Sequence, residues 1–326
     1  MENGFVSIVM VTWNAIQHIE RILKSLDEQT YKKIELIIID NASADGTIEF
    51  IKLNCPDLEV IANNSNNGYC EAVNQGIKLC KGRYVMPLNQ DMLLAPDFVE
   101  EMVRAIELND EIGMVSGKLY KMKTDGTLTG IIDSAGNVIF RDRTASDRGT
   151  GEIDSGQYDK NEYVFGSCGA APLYKREMLE DIKINGQYYD EFFFSYLEDI
   201  DLNWRAQIRG WKCLYAPKAI AYHVRTKSAS SKNTKMHCFK NRYLMMLKND
   251  SLKDLIKHII PIFKYEIKML ARIMRHERFM LKAYFVDVML LPQMLNMRNK
   301  IQKNRIASIE NWFADKPKIE NDTTQR

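Results

Sequence analysis

Through its first 120 residues the chain alternates short β-branched runs with amphipathic stretches, and this pattern leaves few folds open to it. Val6–Val11 is a nearly continuous apolar run that reads as a strand buried on both faces. Ile16, Ile19, Ile22, Leu23 and Leu26 then recur at the spacing that lines one side of a helix. Ile34–Ile39 is a second buried strand ending at Asp40, after which Ser43 and Asp45 offer side-chain oxygens to start another helix. Leu58–Ala62 is a third strand, Tyr69–Leu79 a helix, and Tyr84–Leu88 a fourth strand. Pro96 and Asp97 open a helix running to Leu108, and Ile112–Ser116 is a further strand. Such alternation predicts an α/β fold: a Rossmann-like, mostly parallel sheet with helices on both faces.

Beyond Tyr120 the texture changes. Six glycines between Gly126 and Gly156 break up a polar stretch that reads either as surface hairpins or as an insertion covering a site. Order returns over residues 164–224, with a helix around Leu197–Ile208 and a strand around Lys212–Tyr215. From about residue 235 the chain reads as helices rich in Lys, Arg, Met and aromatics. The expected organisation is therefore a catalytic domain over 1–234, a basic amphipathic helical extension over 235–312 and a disordered tail over 313–326.

Charge follows the same division. Residues 1–234 carry 26 Lys and Arg against 34 Asp and Glu, whereas residues 235–326 carry 19 against 9. An acidic body with a basic extension suggests an anionic partner for the extension. Residues 252–305 combine Lys253, Lys257, Lys264, Lys268, Arg272, Arg275, Arg278 and Lys282 with Ile, Phe, Met and Leu. That composition suits a helix lying on an anionic membrane surface, or a helix packed on the body or on a second subunit, so an oligomer stays open. Nucleic acid is not expected as a partner, because the body is acidic and carries no recognition motif. The longest apolar candidate for a membrane span, Phe279–Leu295, is broken by Lys282, Asp287 and Pro292. Six scattered cysteines without a CxxC pair argue against a zinc site or a disulfide framework. With no apolar leader at the N-terminus, they point to a cytoplasmic protein, peripheral on the inner membrane face if the extension binds lipid.

In an open parallel sheet, ligands bind beyond the carboxyl ends of the strands. Here those ends carry Thr12-Trp13-Asn14, Asp40-Asn41, Asn63-Asn64 with Asn67-Gly68 further on, and Asn89-Gln90-Asp91. No Gly-x4-Gly-Lys-Ser/Thr loop exists, and no dinucleotide fingerprint follows the first strand, so a P-loop ATPase and a nicotinamide enzyme are excluded. What remains is a site where carboxylates and amides meet a nucleotide whose diphosphate is neutralised by a divalent cation. On its own, Asp91 reads as a loop or cap residue or as a metal ligand. Asp40 reads as a turn stabiliser or as an acceptor for a base or ribose hydroxyl. Glu198-Asp199 sits at a helix start after Phe192-Phe193-Phe194, which suits a tuned general base, but the same acids fit a charge-laced helix face. His223 is a structural histidine or a metal ligand.

Together, Val9-Met-Val-Thr-Trp-Asn14, Ile38-Ile-Asp-Asn-Ala-Ser-Ala-Asp-Gly-Thr47, Asn67-Gly68 with Asn74-Gln-Gly76, Leu88-Asn-Gln-Asp91, Gly166–Ala171 and Leu197-Glu-Asp-Ile-Asp-Leu202 occur in an order and spacing that resembles family 2 glycosyltransferases of the GT-A fold. Through His223 and Lys240–Asn249 the chain is most similar to the bacterial rhamnosyltransferase branch. The resemblance covers about residues 5–250. It implies that Thr12, Asn14, Asp40, Asn67, Gly68, Asn74, Asn89 and Asp91 line a nucleotide-sugar pocket. It also implies that Asp91 and His223 hold Mg²⁺ or Mn²⁺, and that Asp199, beside Glu198, is the catalytic base. Asn89 stands where the family's Asp-x-Asp-type motif has its first acid. The expected reaction is inverting transfer of a sugar from a nucleotide-diphosphate donor, dTDP-L-rhamnose, to a lipid-linked or polysaccharide glycan acceptor. The alternatives are the same chemistry with a UDP-hexose and a non-catalytic glycan-binding scaffold. One base suffices, because a cation-neutralised nucleotide diphosphate leaves without an acid, unlike the leaving group of a glycoside hydrolase.

Overall fold

The structure, a computed structural model, describes residues 2–225 and 231–316. Its first half alternates as the periodicity predicts. Strand β1 (Glu2–Thr12), helix α1 (Ile19–Asp27), β2 (Ile34–Asp40), α2 (Thr47–Asn54), β3 (Val60–Ala62), α3 (Tyr69–Leu79) and β4 (Gly82–Asn89) follow one another. They are succeeded by β5 (Met92–Leu94), α4 (Phe98–Ile106) and β6 (Ile112–Met122). The Gly-rich stretch then resolves into hairpins, with β7 (Leu128–Ser134), β8 (Asn137–Phe140) and β9 (Ala145–Asp147). After β10 (Glu162–Val164), β11 (Leu173–Lys175), α5 (Arg176–Asp181) and α6 (Glu198–Ile208), the long β12 (Lys212–His223) completes the main sheet. Four helices follow, α7 (Lys232–Asn249), α8 (Leu252–Lys257), α9 (Ile259–His276) and α10 (Leu281–Lys303), and then a two-residue strand, β13 (Phe313–Ala314).

The sheet runs in the order β10-β12-β6-β11-β4-β1-β2-β3, with β5 on β12 and β7 on β6. The pairs β3–β2, β2–β1, β1–β4 and β6–β12 are parallel. The short β11 enters antiparallel between β4 and β6, a feature that three residues are too few to announce by periodicity. Helices cover both faces. On one, α3 lies so close that a Cβ on Gly76 would sit 2.3 Å from Val9 Cγ1, so only glycine fits there. Ile8 and Met10 point the other way, into a core with Ile19, Ile22, Phe98 and Met102 from α1 and α4.

The extension does not stand apart from this core. Leu244 and Met245 of α7 and Met294 and Met297 of α10 share one apolar cluster with Trp204 and Ile208 of α6. The boundary expected at 234/235 falls inside α7. The tail expected from residue 313 begins with placed residues. Phe313–Ala314 adds a parallel strand to β8, with Phe313 buried edge-on against Trp204 at 5.7 Å and under the Arg143 guanidinium at 3.8 Å. The remainder of that expected tail, 317–326, lies outside the described residues.

Candidate active site

Parallel pairing sets the first part of the site. Thr12 stands opposite Asp40, Asp40 opposite Ala62 and Val11 opposite Asn89, so these residues end at one edge of the sheet. The Thr12 hydroxyl donates to Asp40 Oδ1 at 2.7 Å, and both side chains are buried. Asp40 also accepts from the Ser43 amide at 2.8 Å and the Ser43 hydroxyl at 2.6 Å. Asn14, in the left-handed region at φ 50°, receives the 43–44 turn: its amide donates to Ser43 Oγ at 2.8 Å and its Oδ1 accepts from Ala44 N at 2.9 Å. Thr12, Asn14 and Asp40 are thus one hydrogen-bonded unit, with Asn14 and Trp13 exposed at its mouth. Next to it, Asn41 Nδ2 donates to Gly68 O at 3.0 Å, which ties β2 to the start of α3.

Asn67 and Gly68 lie at that helix start, where Asn67 Nδ2 donates to Glu71 Oε1 at 2.8 Å. Gly68 is needed for two reasons. Its φ is 87°, and a Cβ there would sit 2.5 Å from Phe194 Cδ2. Asn74 departs from expectation. It is buried, its Oδ1 accepts from the amides of Tyr188 and Tyr189 at 3.2 and 2.9 Å, and its Nδ2 donates to Tyr189 O and Glu191 Oε1 at 2.8 and 3.0 Å. With its amide used on the 188–191 segment, Asn74 fixes backbone and presents no group to a ligand.

The second part of the site forms where β12 meets β5. His223 is buried and bridges two carboxylates: Nδ1 lies 2.9 Å from Asp133 Oδ2, and Nε2 lies 3.3 Å from Asp91 Oδ1. The backbone seals the pair, since Val224 N donates to Asp91 O at 3.0 Å. Asp133 was not foreseen. It comes from β7, inside the Gly-rich stretch, and no local sequence signal marks it. Arg225 Nε reaches its other oxygen at 2.7 Å while Nη2 pairs with Asp147 of β9. Burial pulls the His223 pKa down, but the bonds to Asp133 and Asp91 outweigh it and hold the ring at about 9.

The third part is the start of α6. The Gly169 amide donates to Asp199 Oδ2 at 3.0 Å, and Ile200 N donates to Oδ1 at 2.8 Å. The next residue in that strip, Ala170, accepts from Asn89 N at 2.9 Å. Two adjacent residues of Gly166–Ala171 therefore link the end of β4, which leads into Asp91, to the acid pair on α6. Burial raises the pKa of both Glu198 and Asp199, Glu198 further through the Asp199 charge and Asp199 further through Asp147. Glu198 Oε2 has no hydrogen-bond partner among the described residues.

The segment before this pair is strained. Phe194, Tyr196 and Leu197 have φ of 65°, 73° and 62°, in the left-handed region that side chains disfavour. It is held from α7. Asn241 Nδ2 lies within 3.1, 2.9 and 2.6 Å of the carbonyls of Phe193, Ser195 and Tyr196, and Lys240 donates to Phe192 O. Lys248 completes the support by pairing with Asp190 and, at 3.0 Å, with Asp201.

Among the described residues, no group of three or more His, Cys, Asp or Glu could hold a metal ion by itself. The Asp91 carboxylate, together with His223 once its imidazolium gives up the Nε2 proton, would form a donor pair for a divalent cation that shares its shell with phosphate oxygens. Asp91 and His223 converge at 3.3 Å, and the far nitrogen of His223 rests on a carboxylate, the outer support common to metal-binding histidines.

The family model described as glycosyl transferase family 2 matches residues 7–183, more than half of the chain. The chain belongs to glycosyl transferase family 2. Similar curated proteins include an uncharacterized glycosyltransferase of Haemophilus influenzae, 32% identical over 117 residues, covering 34% of this chain and 36% of the relative. Another is the poly-beta-1,6-N-acetyl-D-glucosamine synthase of Staphylococcus aureus, 26% identical over 225 residues, covering 67% of this chain and 49% of the synthase. The chain thus spans about half or less of the length of these relatives. In fold it is similar to the crystal structure of TarS 1–349 of S. aureus, with a TM-score of 0.57 and 14% identity over 92% of this chain and 88% of that one. Its mostly parallel α/β architecture is the one expected from its sequence, and it carries a helical C-terminal extension.

Proposed function

We propose that this family 2 glycosyltransferase moves one sugar from a nucleotide-diphosphate donor to an acceptor hydroxyl, by a single displacement that inverts the anomeric carbon. The observation that carries this reading is the Gly169-Ala170 strip, which joins the strand end leading to Asp91, where the diphosphate would sit, to Asp199 across one residue. Thr12 and Asp40, both buried, hold the turn behind Asn14, and Asn14 with Asn67, Gly68 and Asn89 forms the edge that receives the nucleoside. Asp91 and His223 would hold Mg²⁺ or Mn²⁺, which supplies charge neutralisation for the departing diphosphate. Asp133 fixes the His223 ring, and Arg225 stands beside them as a second cation. Asp199, raised by burial yet held by two backbone amides, takes the proton of the acceptor hydroxyl as it attacks, and the buried Glu198 beside it completes the catalytic acid pair.

The donor we favour is dTDP-L-rhamnose, on the branch resemblance through His223 and Lys240–Asn249, and the acceptor is a lipid-linked or polysaccharide glycan. A lipid-linked acceptor places the work at the inner face of a membrane. The test is release of nucleotide diphosphate with dTDP-L-rhamnose, acceptor and Mn²⁺, against UDP-hexoses in the same assay. Asp199→Asn is expected to abolish transfer while a thermal shift by donor persists. Near wild-type transfer by Asp199→Asn would place the base elsewhere, and no turnover with any donor would favour the scaffold reading.

A further inference from the structure

Helices α8 to α10 leave an apolar surface that the fold does not use. On α9, Ile259, Ile260, Phe263, Ile267, Leu270 and Met274 are each about half exposed or more, with Phe263 at 62%. At 100° per residue they fall within an arc of about 100°. On α10, Phe285, Val288 and Met289 are exposed as well, with Phe285 at 68% and Val288 at 69%. Among the described residues no helix is long and apolar enough to cross a membrane.

Charge identifies the occupant. Lys264, Lys268 and Arg275 of α9 are exposed and fall within about 40° of one another, directly beside the apolar arc. The four acids of residues 252–305 are withdrawn from this surface. Asp254, Glu277 and Asp287 are buried, and Glu266 is half-buried, paired with Arg242 at 2.7 Å and with Tyr243. The outer face of the extension is therefore apolar and cationic and carries no exposed carboxylate among the described residues. A second copy docked there would bring Lys and Arg against Lys and Arg. A polyanion such as nucleic acid would leave the Phe and Ile row in water. An anionic bilayer accepts both halves, the apolar row at the acyl boundary and the basic row among phosphate headgroups.

We infer that α9 and the first half of α10 lie flat on an anionic lipid surface and dock the enzyme there, Phe263 and Phe285 inserting and Lys264, Lys268 and Arg275 pairing with headgroup phosphates. This carries the membrane-proximal part of the proposed function further, but it stands on surface chemistry rather than on the transfer reaction, so it is measured without donor or acceptor.

The experiment is flotation of the full chain with vesicles of phosphatidylcholine alone and of phosphatidylcholine with phosphatidylglycerol. The wild type is expected to float with the second and stay in solution with the first, and high salt weakens binding. Phe263→Ser with Phe285→Ser, and separately Lys264→Glu with Lys268→Glu, are each expected to lower partition by roughly tenfold or more. All four positions are exposed, so the thermal midpoint should not move, which separates lost docking from lost folding. Equal flotation with neutral vesicles, no flotation of the wild type, or a solution dimer that Phe263→Ser with Phe285→Ser converts to monomer would overturn the inference. The last result would make a second copy the occupant. Failure of donor turnover would leave the flotation result standing, so the two readings fail separately.

Discussion

Removing the Asn241 amide should uncouple chemistry from donor binding. Asn241 is buried on α7, and its Nδ2 serves the carbonyls of Phe193, Ser195 and Tyr196 just before Asp199. Three residues of that turn are left-handed without being glycine, at a cost of about 1–2 kcal/mol each. Its two N–H groups, shared among the three carbonyls, return about 1 kcal/mol net each, so the amide offsets roughly 2 kcal/mol of the strain. Asn241→Leu keeps the volume and removes the side-chain donor from all three carbonyls, of which Phe193 O keeps the Ser195 amide at 2.7 Å, and the turn should relax toward ordinary φ. Asp199 begins two residues beyond it, and a displacement near 1 Å at a reacting group costs on the order of a hundredfold in rate. Steady-state kinetics should therefore show kcat down by about a hundredfold with donor KM within about twofold, since Thr12, Asn14 and Asp40 lie on other elements. Asn241→Asp, which aims an oxygen at the same carbonyls, should be at least as damaging despite its shape. A folded Asn241→Leu enzyme with kcat within about twofold of wild type would refute the reasoning.

With Asp199 as the proposed base and its pKa raised by burial, kcat should fall with decreasing pH along a limb centred above the ordinary carboxylate range of about 4, which a pH–rate profile measures. Asp133→Asn removes the charge that fixes His223 and Arg225, and Mn²⁺ titration of activity should show an affinity roughly 10- to 100-fold weaker with kcat at saturating metal largely kept. Asp287 of α10 is buried with no hydrogen-bond partner on either oxygen among the described residues, and burial, partly opposed by Lys240, pushes its pKa up to about 7. The folded chain then binds a proton the unfolded chain has released, so stability falls as pH rises from about 4 to about 7. Asp287→Asn should raise the thermal midpoint at pH 8 and leave it nearly unchanged at pH 4, and equal shifts at both values would contradict this.

Sequence periodicity made β1, β2, α3 and β4 legible because each is long enough to show a 2- or 3.6-residue repeat. Asp40, Asp91 and Asp199 stand out as candidates for a related reason: each follows an apolar run or opens a helix, where a small polar residue is conspicuous. Asp133 was not, since its partners lie 90 and 92 residues away and its own neighbourhood is Gly-rich and aperiodic. Asn74 misled for the opposite reason. A polar side chain inside a helix can face a ligand or a neighbouring backbone, and only the packing of α3 against residues 188–191 decides between them. The change of charge marks where the extension begins, but charge describes its outer faces and says nothing of the Leu244 and Met294 sides that enter the core.

Gly68 and Phe194 meet so tightly that a methyl group could not pass between them, and Cys70 N is bonded to Phe194 O at 3.1 Å. The start of α3 and the turn that carries the acids are thereby mechanically one piece, without a hinge between them. A substitution that thickens the chain at residue 68 should thus be felt at both ends of the proposed site at once.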